Sequence, residues 1–474
     1  MQNSSIFKRL DWISILIYLL LVLIGWVNIY SAVYEESHSS IIDLSQKYGK
    51  QLIWIGAALL LALVILIIDS KFYTSFAYVL YAVGILLLFA VLIFGIEINA
   101  SKSWFQFGTF RMQPVEFTKI TVCLALAQTM SSRFFSFNEI KSIIKIGIIL
   151  FLPILLIFIQ NDTGSALVFF AFIFVLYREG MSKELFFTGF VLIVLFLLAM
   201  LTNLEILLLV VLIASVVIYI ISNTRTLQAR IMLYLFLLYS SLSLIFYFYS
   251  DIFTEKLLLL IIINITINLL TMLILYFTSR KKIILLYFLI LLGVSAFVLS
   301  ADYIFNNILQ PHQQNRITEF LGITDDPLGI GYNVNQSKIA IGSGGLTGKG
   351  FLQGTQTKYN FVPEQSTDFI FCTIGEEWGL IGSLTVITLY TFLILRIIFR
   401  SEKQRTSFSR IYGYGVASIL FFHVAVNIGM TVGLTPVVGI PLPFLSYGGS
   451  SLWAFTILLF IFIKLDSDRT ENLR

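Results

Sequence analysis

The residues best able to do chemistry in this sequence are a few charged side chains set in apolar surroundings. Glu116 and Lys119, in Gln113-Pro114-Val115-Glu116-Phe117-Thr118-Lys119, stand three apart, which puts both on one face of a helix. Pro114 fits the first turn of that helix, where its missing N–H costs nothing. An ionised group in lipid costs roughly 3 kcal/mol, so the pair needs a reason. Either it is a self-neutralising ion pair that packs helices, or it is a cation and a carboxylate lining a cavity. Arg111, just outside, adds a second cation, a combination suited to a phosphate or pyrophosphate. Glu376 and Glu377 are adjacent and point to different helix faces, so one of them could meet Lys119. Asp162, in Gln160-Asn161-Asp162-Thr163-Gly164, reads as a turn and helix N-cap. His423, alone in an apolar run, reads as a hydrogen-bonded core residue.

Three further stretches carry backbone signals. Asp325-Asp326-Pro327-Leu328-Gly329-Ile330-Gly331-Tyr332 combines acids with turn formers. Gly342-Ser343-Gly344-Gly345-Leu346-Thr347-Gly348-Lys349-Gly350 is not a phosphate-binding P-loop, which needs Gly where Ser343 stands and Ser or Thr where Gly350 stands. Its glycines and Lys349 would instead allow close backbone approach to a sugar or lipid headgroup. Asn427 to Ser451, with three prolines and five glycines between two apolar runs, is poor helix material. Such backbone is tolerated at membrane depth only when buried in protein or lining a cavity, so residues 434–446 are expected to form a broken, re-entrant segment.

The elements that must position these residues follow from composition. Of 474 residues, 58% are hydrophobic and only 12% charged, against about 25% charged in a soluble domain. A water-soluble fold, and with it a large soluble catalytic domain, is excluded. The net charge of +5 is the difference of 31 basic and 26 acidic residues spread along the chain, and no nucleic-acid partner is expected. Cys123 and Cys372 read as small core residues. The first apolar run is too long for a cleavable signal peptide.

At about 20 residues per crossing, the sequence reads as an all-α polytopic integral membrane protein, a single membrane domain over residues 1–474. It has about fourteen spans, at roughly 11–31, 51–68, 73–95, 113–131, 144–160, 164–178, 185–201, 203–222, 229–249, 257–279, 283–300, 368–395, 411–433 and 446–464. Alternate loops hold about 21 Lys and Arg on the amino-terminal side against 9 on the other, so both termini are expected in the cytoplasm and the large loop 302–367 outside it.

Together these stretches resemble the motifs of the SEDS family (shape, elongation, division and sporulation). The segment from Asn427 through Gly433-Leu434-Thr435-Pro436, Gly439, Pro441 and Ser446-Tyr447-Gly448-Gly449-Ser450-Ser451 is similar to the family signature. Gln113-Pro114-x-Glu116-x-x-Lys119, Asp326-Pro327-x-Gly329, Gln336-Ser337 and Pro363-Glu364-x-x-Thr367-Asp368-Phe369-Ile370-Phe371 resemble its other motifs, in the family's order. Gly354-Thr355-Gln356 is more similar to the elongation branch than to the division branch. The resemblance implies a SEDS-type helical bundle and a peptidoglycan glycosyltransferase that polymerises undecaprenyl-linked lipid II at the outer face of the bacterial cytoplasmic membrane. It implies as partners a class B penicillin-binding protein transpeptidase and the elongation complex. It makes Asp326 the essential acid and Glu116 and Lys119 the family's polar pair. Two departures stand out. The family's Gln-Pro-Asp stretch is Gln160-Asn161-Asp162 here, and the usual ten spans are exceeded by about four crossings, within residues 185–300.

Glycan extension moves an anomeric carbon from pyrophosphate to the 4-hydroxyl of another lipid-linked sugar. A single inverting displacement needs one base for the hydroxyl and positive charge for the leaving group. Asp326 is the candidate base, or a ligand of a divalent cation, Mg or Mn, that also holds the pyrophosphate. Arg111 and Lys119 are candidate leaving-group cations, Glu116 would hold Lys119, and Lys349 and Glu376 are candidate substrate contacts. Two rival functions share these features: a flippase for the lipid-linked precursor, which many helices and broken segments suit, and a scaffold that only positions a transpeptidase.

Overall fold

The computed structural model describes residues 9–34, 42–98, 101–108, 110–222, 230–231, 234–239, 241, 257–321, 331–359 and 361–469. The chain divides into two compact units, Met1–Ser182 with Asp326–Arg474, and Lys183–Asp325. In the first unit α1 (Trp12–Ala32), α2 (Lys47–Ile67), α3 (Ser70–Ser75) and α4 (Ala77–Phe94) lead into strands β1 (Ile96–Ile98), β2 (Ser101–Phe107) and β3 (Phe110–Met112). Then come α5 (Pro114–Met130), α6 (Ile140–Ile159), α7 (Thr163–Leu167) and α8 (Phe172–Arg178), the last two joined by a 3-10 turn at Val168–Ala171. The second unit holds α9 (Lys183–Leu201), α10 (Leu204–Ser222), α11 (Leu257–Ser279), α12 (Lys282–Asn307) and α13 (Pro311–Phe320). The first unit resumes with α14 (Tyr332–Ser343), α15 (Thr355–Lys358), α16 (Ile370–Glu402), α17 (Ser407–Val432) and α18 (Gly449–Asp468).

Among the described residues 11 helices are long and apolar enough to cross a membrane. Two further expected spans appear as α5, of 17 residues, and as the broken pair α7 and α8. The expected span 229–249 lies largely outside the described residues. The start of the expected loop at 302 is still helix, since α12 runs to Asn307.

A small antiparallel sheet, β1-β2-β3, adds to the helical bundle. Its cause is local: Gly108, at φ +61, turns the chain so that Phe107 pairs with Phe110 and Gln106 with Arg111. Lys102 N and Ser101 Oγ both donate to the Gln160 carbonyl at 3.0 Å, tying the sheet to the turn before α7.

Helix α5 is the centre of the first unit. It is buried on nearly every side and packs on α4, α6, α17 and α18, with its two ionised side chains paired to each other. At one end of the unit basic and acidic side chains from several helices meet one another. Asp11, before α1, accepts from Arg396 Nε at 2.8 Å and lies 3.5 Å from Arg400, which also lies 3.6 Å from Asp466 of α18. Arg178 pairs with Glu402 at 2.6 Å, and Arg410 with Glu179 at 2.8 Å. Burial pushes the Asp11 carboxyl up, but hydrogen bonds from Arg396 and Ser14 and the charge of Arg400 outweigh it and hold it below the usual carboxylate range. Its stabilisation is therefore complete above its unfolded value of about 3.9 and lost as pH falls through its lower folded value. Asp11→Asn is expected to cost roughly 3 kcal/mol at neutral pH, measured as thermal unfolding in detergent. The deficit should shrink in acid, where protonation removes the same charge from the native protein.

At the opposite end α16 is broken. Gly379, at φ +63 and ψ −156, is non-helical within it, and the glycine-rich loop docks into the gap. Lys349 N and Gly350 N donate at 3.0 Å to the carbonyls of Glu376 and Glu377, while Leu380 N donates to Gly345 O at 2.9 Å. The carbonyls and amides freed by the break are thus satisfied by the loop's backbone. A Cβ on Gly348, which has φ +80, would collide with the carbonyl of Glu377. Gly348→Ala is therefore expected to destabilise the protein by about 3 kcal/mol, read as a fall in melting temperature.

Residues 433–448 run without helix or strand, and their backbone is held by buried protein. Asn427 Nδ2 donates to Asp368 O at 2.8 Å and to Ile440 O at 2.7 Å. Leu442 N donates to Ser446 Oγ at 2.8 Å, Tyr447 N to Ser366 O at 2.9 Å, and the Tyr390 hydroxyl to the Pro443 carbonyl.

In the second unit α12 packs on α9, α10 and α11, around a core that includes Leu208, Leu212, Met272, Leu291 and Val298. Asn264, Asn268 and Thr271 are buried on one face of α11, where Asn268 Nδ2 donates to the Asn264 carbonyl at 2.9 Å.

Candidate active site

Glu116 and Lys119 form the ion pair their spacing predicts. Lys119 Nζ lies 2.9 Å from both carboxylate oxygens, and each side chain is only 3% exposed. An ammonium has three protons and no acceptor. The remaining partner is His423 Nε2 of α17, also at 2.9 Å. Phe455 of α18 closes the group, its ring 5.0 Å from Nζ and edge-on to the imidazole at 4.8 Å. Three helices thus meet on one ammonium. His423 is a hydrogen-bonded core residue, as its surroundings indicated. Its partner stands 304 positions away, which no local spacing reveals. Neither Glu376 nor Glu377 takes the place foreseen for one of them beside Lys119, because Glu116 and His423 fill it.

Asp162 is the N-cap of α7: Oδ1 accepts from Ser165 N at 3.1 Å. Oδ2 accepts from Gln113 Nε2 at 2.8 Å, so the turn is joined to the start of α5. Asn161 sits at φ +60. Proline, fixed near φ −65, cannot adopt that geometry. Arg111 is exposed on β3, three residues before α5, in register with Gln106.

Glu376 is fully buried, and its carboxylate is spent inside the chain. Oε1 accepts from Lys349 Nζ at 2.6 Å, Thr355 N at 2.8 Å and Gln356 N at 2.9 Å, and Oε2 from Thr357 N and Oγ1 at 2.9 Å. The carboxylate thereby caps α15 and pins the glycine-rich loop. Lys349 also donates to Thr355 Oγ1 at 2.8 Å. What the loop's glycines approach closely is the chain's own broken helix, where a sugar or headgroup had been expected. Glu377 accepts from Ser31 of α1 through Oε1, while its buried Oε2 has no hydrogen-bond partner among the described residues.

Asp325 and Asp326 lie outside the described residues. The chain resumes at Gly331 and enters α14, where Ser337 is buried and donates to the Thr431 carbonyl at 2.5 Å. Sequence reasoning missed a cleft of about 270 Å³ lined by Val33, Lys47 and residues 362–366. Lys47 Nζ donates there to Ser366 Oγ at 3.0 Å and lies 5.8 Å from the Tyr447 ring centre. The Pro363-Glu364 motif was the one available signal for it.

A profile of the FtsW/RodA/SpoVE family of cell cycle proteins matches residues 11–235 and 207–471. The chain belongs to this family. It is 32% identical over 461 residues to the peptidoglycan glycosyltransferase RodA of Treponema pallidum, covering 96% of this chain and 97% of that protein. It is 31% identical over 437 residues to the peptidoglycan glycosyltransferase MrdB of Escherichia coli K12, covering 92% and 88%. Its fold matches a chain of a solved peptidoglycan synthase complex with a TM-score of 0.63 at 24% identity, covering 97% and 98%. It also matches the crystal structure of the rod shape determining protein RodA of Thermus thermophilus with a TM-score of 0.56 at 22% identity, covering 97% of each. This member of the FtsW/RodA/SpoVE family is therefore a bacterial membrane protein with the family's helical bundle.

Proposed function

We propose that this FtsW/RodA/SpoVE protein is a peptidoglycan glycosyltransferase that polymerises lipid II for cell elongation. The observation that carries the reading is that relatives named for this activity align over nearly the whole chain, 96% in the case of the T. pallidum protein. The bias of Lys and Arg toward one set of loops puts the end that holds Asp11 and Arg396 in the cytoplasm, together with both termini. Arg111, Asp162, the glycine-rich loop and Asp326 then belong to the outer side, where headgroups can be bound while the polyprenyl tails stay in lipid.

Asp326 takes the proton of the acceptor 4-hydroxyl as that oxygen attacks the anomeric carbon. The bond from carbon to the pyrophosphate oxygen breaks, its electron pair leaves with undecaprenyl pyrophosphate, and the configuration inverts. Arg111, exposed on β3, meets the leaving group. Lys119 reaches it only by exchanging one acceptor, since Glu116 and His423 take all three of its protons. Lys349 and Glu376 act on substrate through the loop they hold. Among the described residues no group of three His, Cys, Asp or Glu side chains could hold a metal ion, and Asp326, the candidate ligand of Mg or Mn, lies outside them. The partner is a class B penicillin-binding protein, in keeping with the likeness to a chain of a peptidoglycan synthase complex.

The test uses the purified protein in liposomes with fluorescent lipid II, alone and with its transpeptidase. Glycan strands are expected, and they should persist in chelator if Asp326 acts directly as base. Loss restored by Mg or Mn would make Asp326 a metal ligand instead. Movement of lipid II across the bilayer with no polymer would replace the reading with that of a flippase.

A further inference from the structure

We infer that His423 is a positioning residue for Lys119, a neutral imidazole that keeps one N–H of the ammonium aimed until a substrate oxygen takes its place. The inference rests on Lys119 being a leaving-group cation, as proposed above. His423 is fully buried and both ring nitrogens have partners. With Lys119 as the ammonium, only a bare Nε2 can face it at 2.9 Å. The proton must then sit on Nδ1, which lies 3.1 Å from the Pro441 carbonyl, a group that can only accept. One tautomer satisfies both contacts, and the other satisfies neither.

The chemistry of the three acceptors explains the arrangement. Glu116 binds two protons of Lys119 through a charged carboxylate on the same helix. A second carboxylate at position 423 would hold the third just as firmly and leave nothing for substrate. A protonated imidazole would repel the ammonium. A neutral acceptor holds the proton in place, yet exchanges readily, because an anionic phosphate oxygen adds the attraction of opposite charges to the charge-assisted hydrogen bond that the imidazole alone accepts. Pro441 lies in the irregular 433–448 segment, so its carbonyl is free of helix bonding and can fix the ring. The shape of that segment is in this way passed to Lys119.

Two measurements test this. Polymerisation of lipid II by the purified protein with its transpeptidase is compared for wild type, His423→Leu and His423→Gln. The Leu variant is expected to lose about tenfold or more in kcat with little change in KM, and the Gln variant, whose amide oxygen can accept from Lys119, to recover most of it. Separately, ¹⁵N-histidine NMR of the reconstituted protein reads the tautomer. The chain has three histidines, and the signal that vanishes in His423→Gln is that of His423. A bare Nε2 beside a protonated Nδ1 is expected, with the Nε2 signal shifting in a Glu116→Gln, Lys119→Met double variant. The inference falls if His423→Leu polymerises at the wild-type rate, if His423→Gln is as impaired as Leu while equally folded, or if Nε2 carries the proton. Should His423→Leu fail to fold, the wild-type spectrum and the Gln variant decide. If the double variant polymerises normally, the catalytic reading of Lys119 itself fails, whatever position 423 shows.

Discussion

Asp326→Ala abolishes polymerisation of purified lipid II in the expected result, with the protein still folded and inserted. A general base positioned on the attacking hydroxyl contributes on the order of 10²–10⁴-fold, enough to take strand synthesis below detection. Asp326→Asn should behave alike, since the amide keeps the shape and loses the basicity. Its neighbour gives the control. Asp325→Ala removes an equal charge one residue away and is expected to keep most activity, so a general loss of negative charge in the loop is separated from the loss of one base. Product read as glycan strands on gels, beside a melting curve for each variant, settles the matter. Undiminished strands from Asp326→Ala would remove Asp326 as the base and leave that role to another group of the polymerase.

The second large effect concerns the buried pair, and single substitutions report on it poorly. Lys119→Ala leaves the Glu116 carboxylate at 3% exposure without its cation, which alone costs about 3–5 kcal/mol. Lost activity there would mix unfolding with chemistry. Replacing both partners avoids this, because no uncompensated charge is left buried. The Glu116→Gln, Lys119→Met double variant is therefore expected to melt near wild type yet polymerise roughly 10²-fold more slowly, the scale of removing one preorganised donor from a developing anion. Full activity in that variant would make the pair a packing device.

Much of the helical frame was legible because lipid leaves few alternatives: a run of about 20 apolar residues must satisfy its backbone internally. The Glu116–Lys119 contact and the Asp162 cap were legible because both are local, three residues from donor to acceptor. What stayed hidden was everything set by packing between distant segments. Lys119 was expected beside Glu376 or Glu377, and its actual third partner, His423, comes from a helix whose approach to α5 no spacing encodes. The glycines of 342–350 announced close approach, yet nothing in their order says that the partner would be the carbonyls of Glu376 and Glu377 in the chain's own helix. Composition marks Gly379 only as a glycine in an apolar run. The φ that breaks α16 there depends on the loop that fills the gap.

The pairing of Asp11 and Asp466 through Arg400 has a consequence in time. Synthesis delivers α1 first and α18 last, so Asp11 waits for Arg396 and Arg400, and Arg400 waits again for Asp466. Between them the whole Lys183–Asp325 unit is made. α2 likewise stays without α18, the helix it packs on, until the chain is nearly complete. A chain stalled before residue 449 leaves Arg400 without Asp466 and α2 without α18, although Asp11 already has Arg396, so the last helix completes an anchorage that α16 begins.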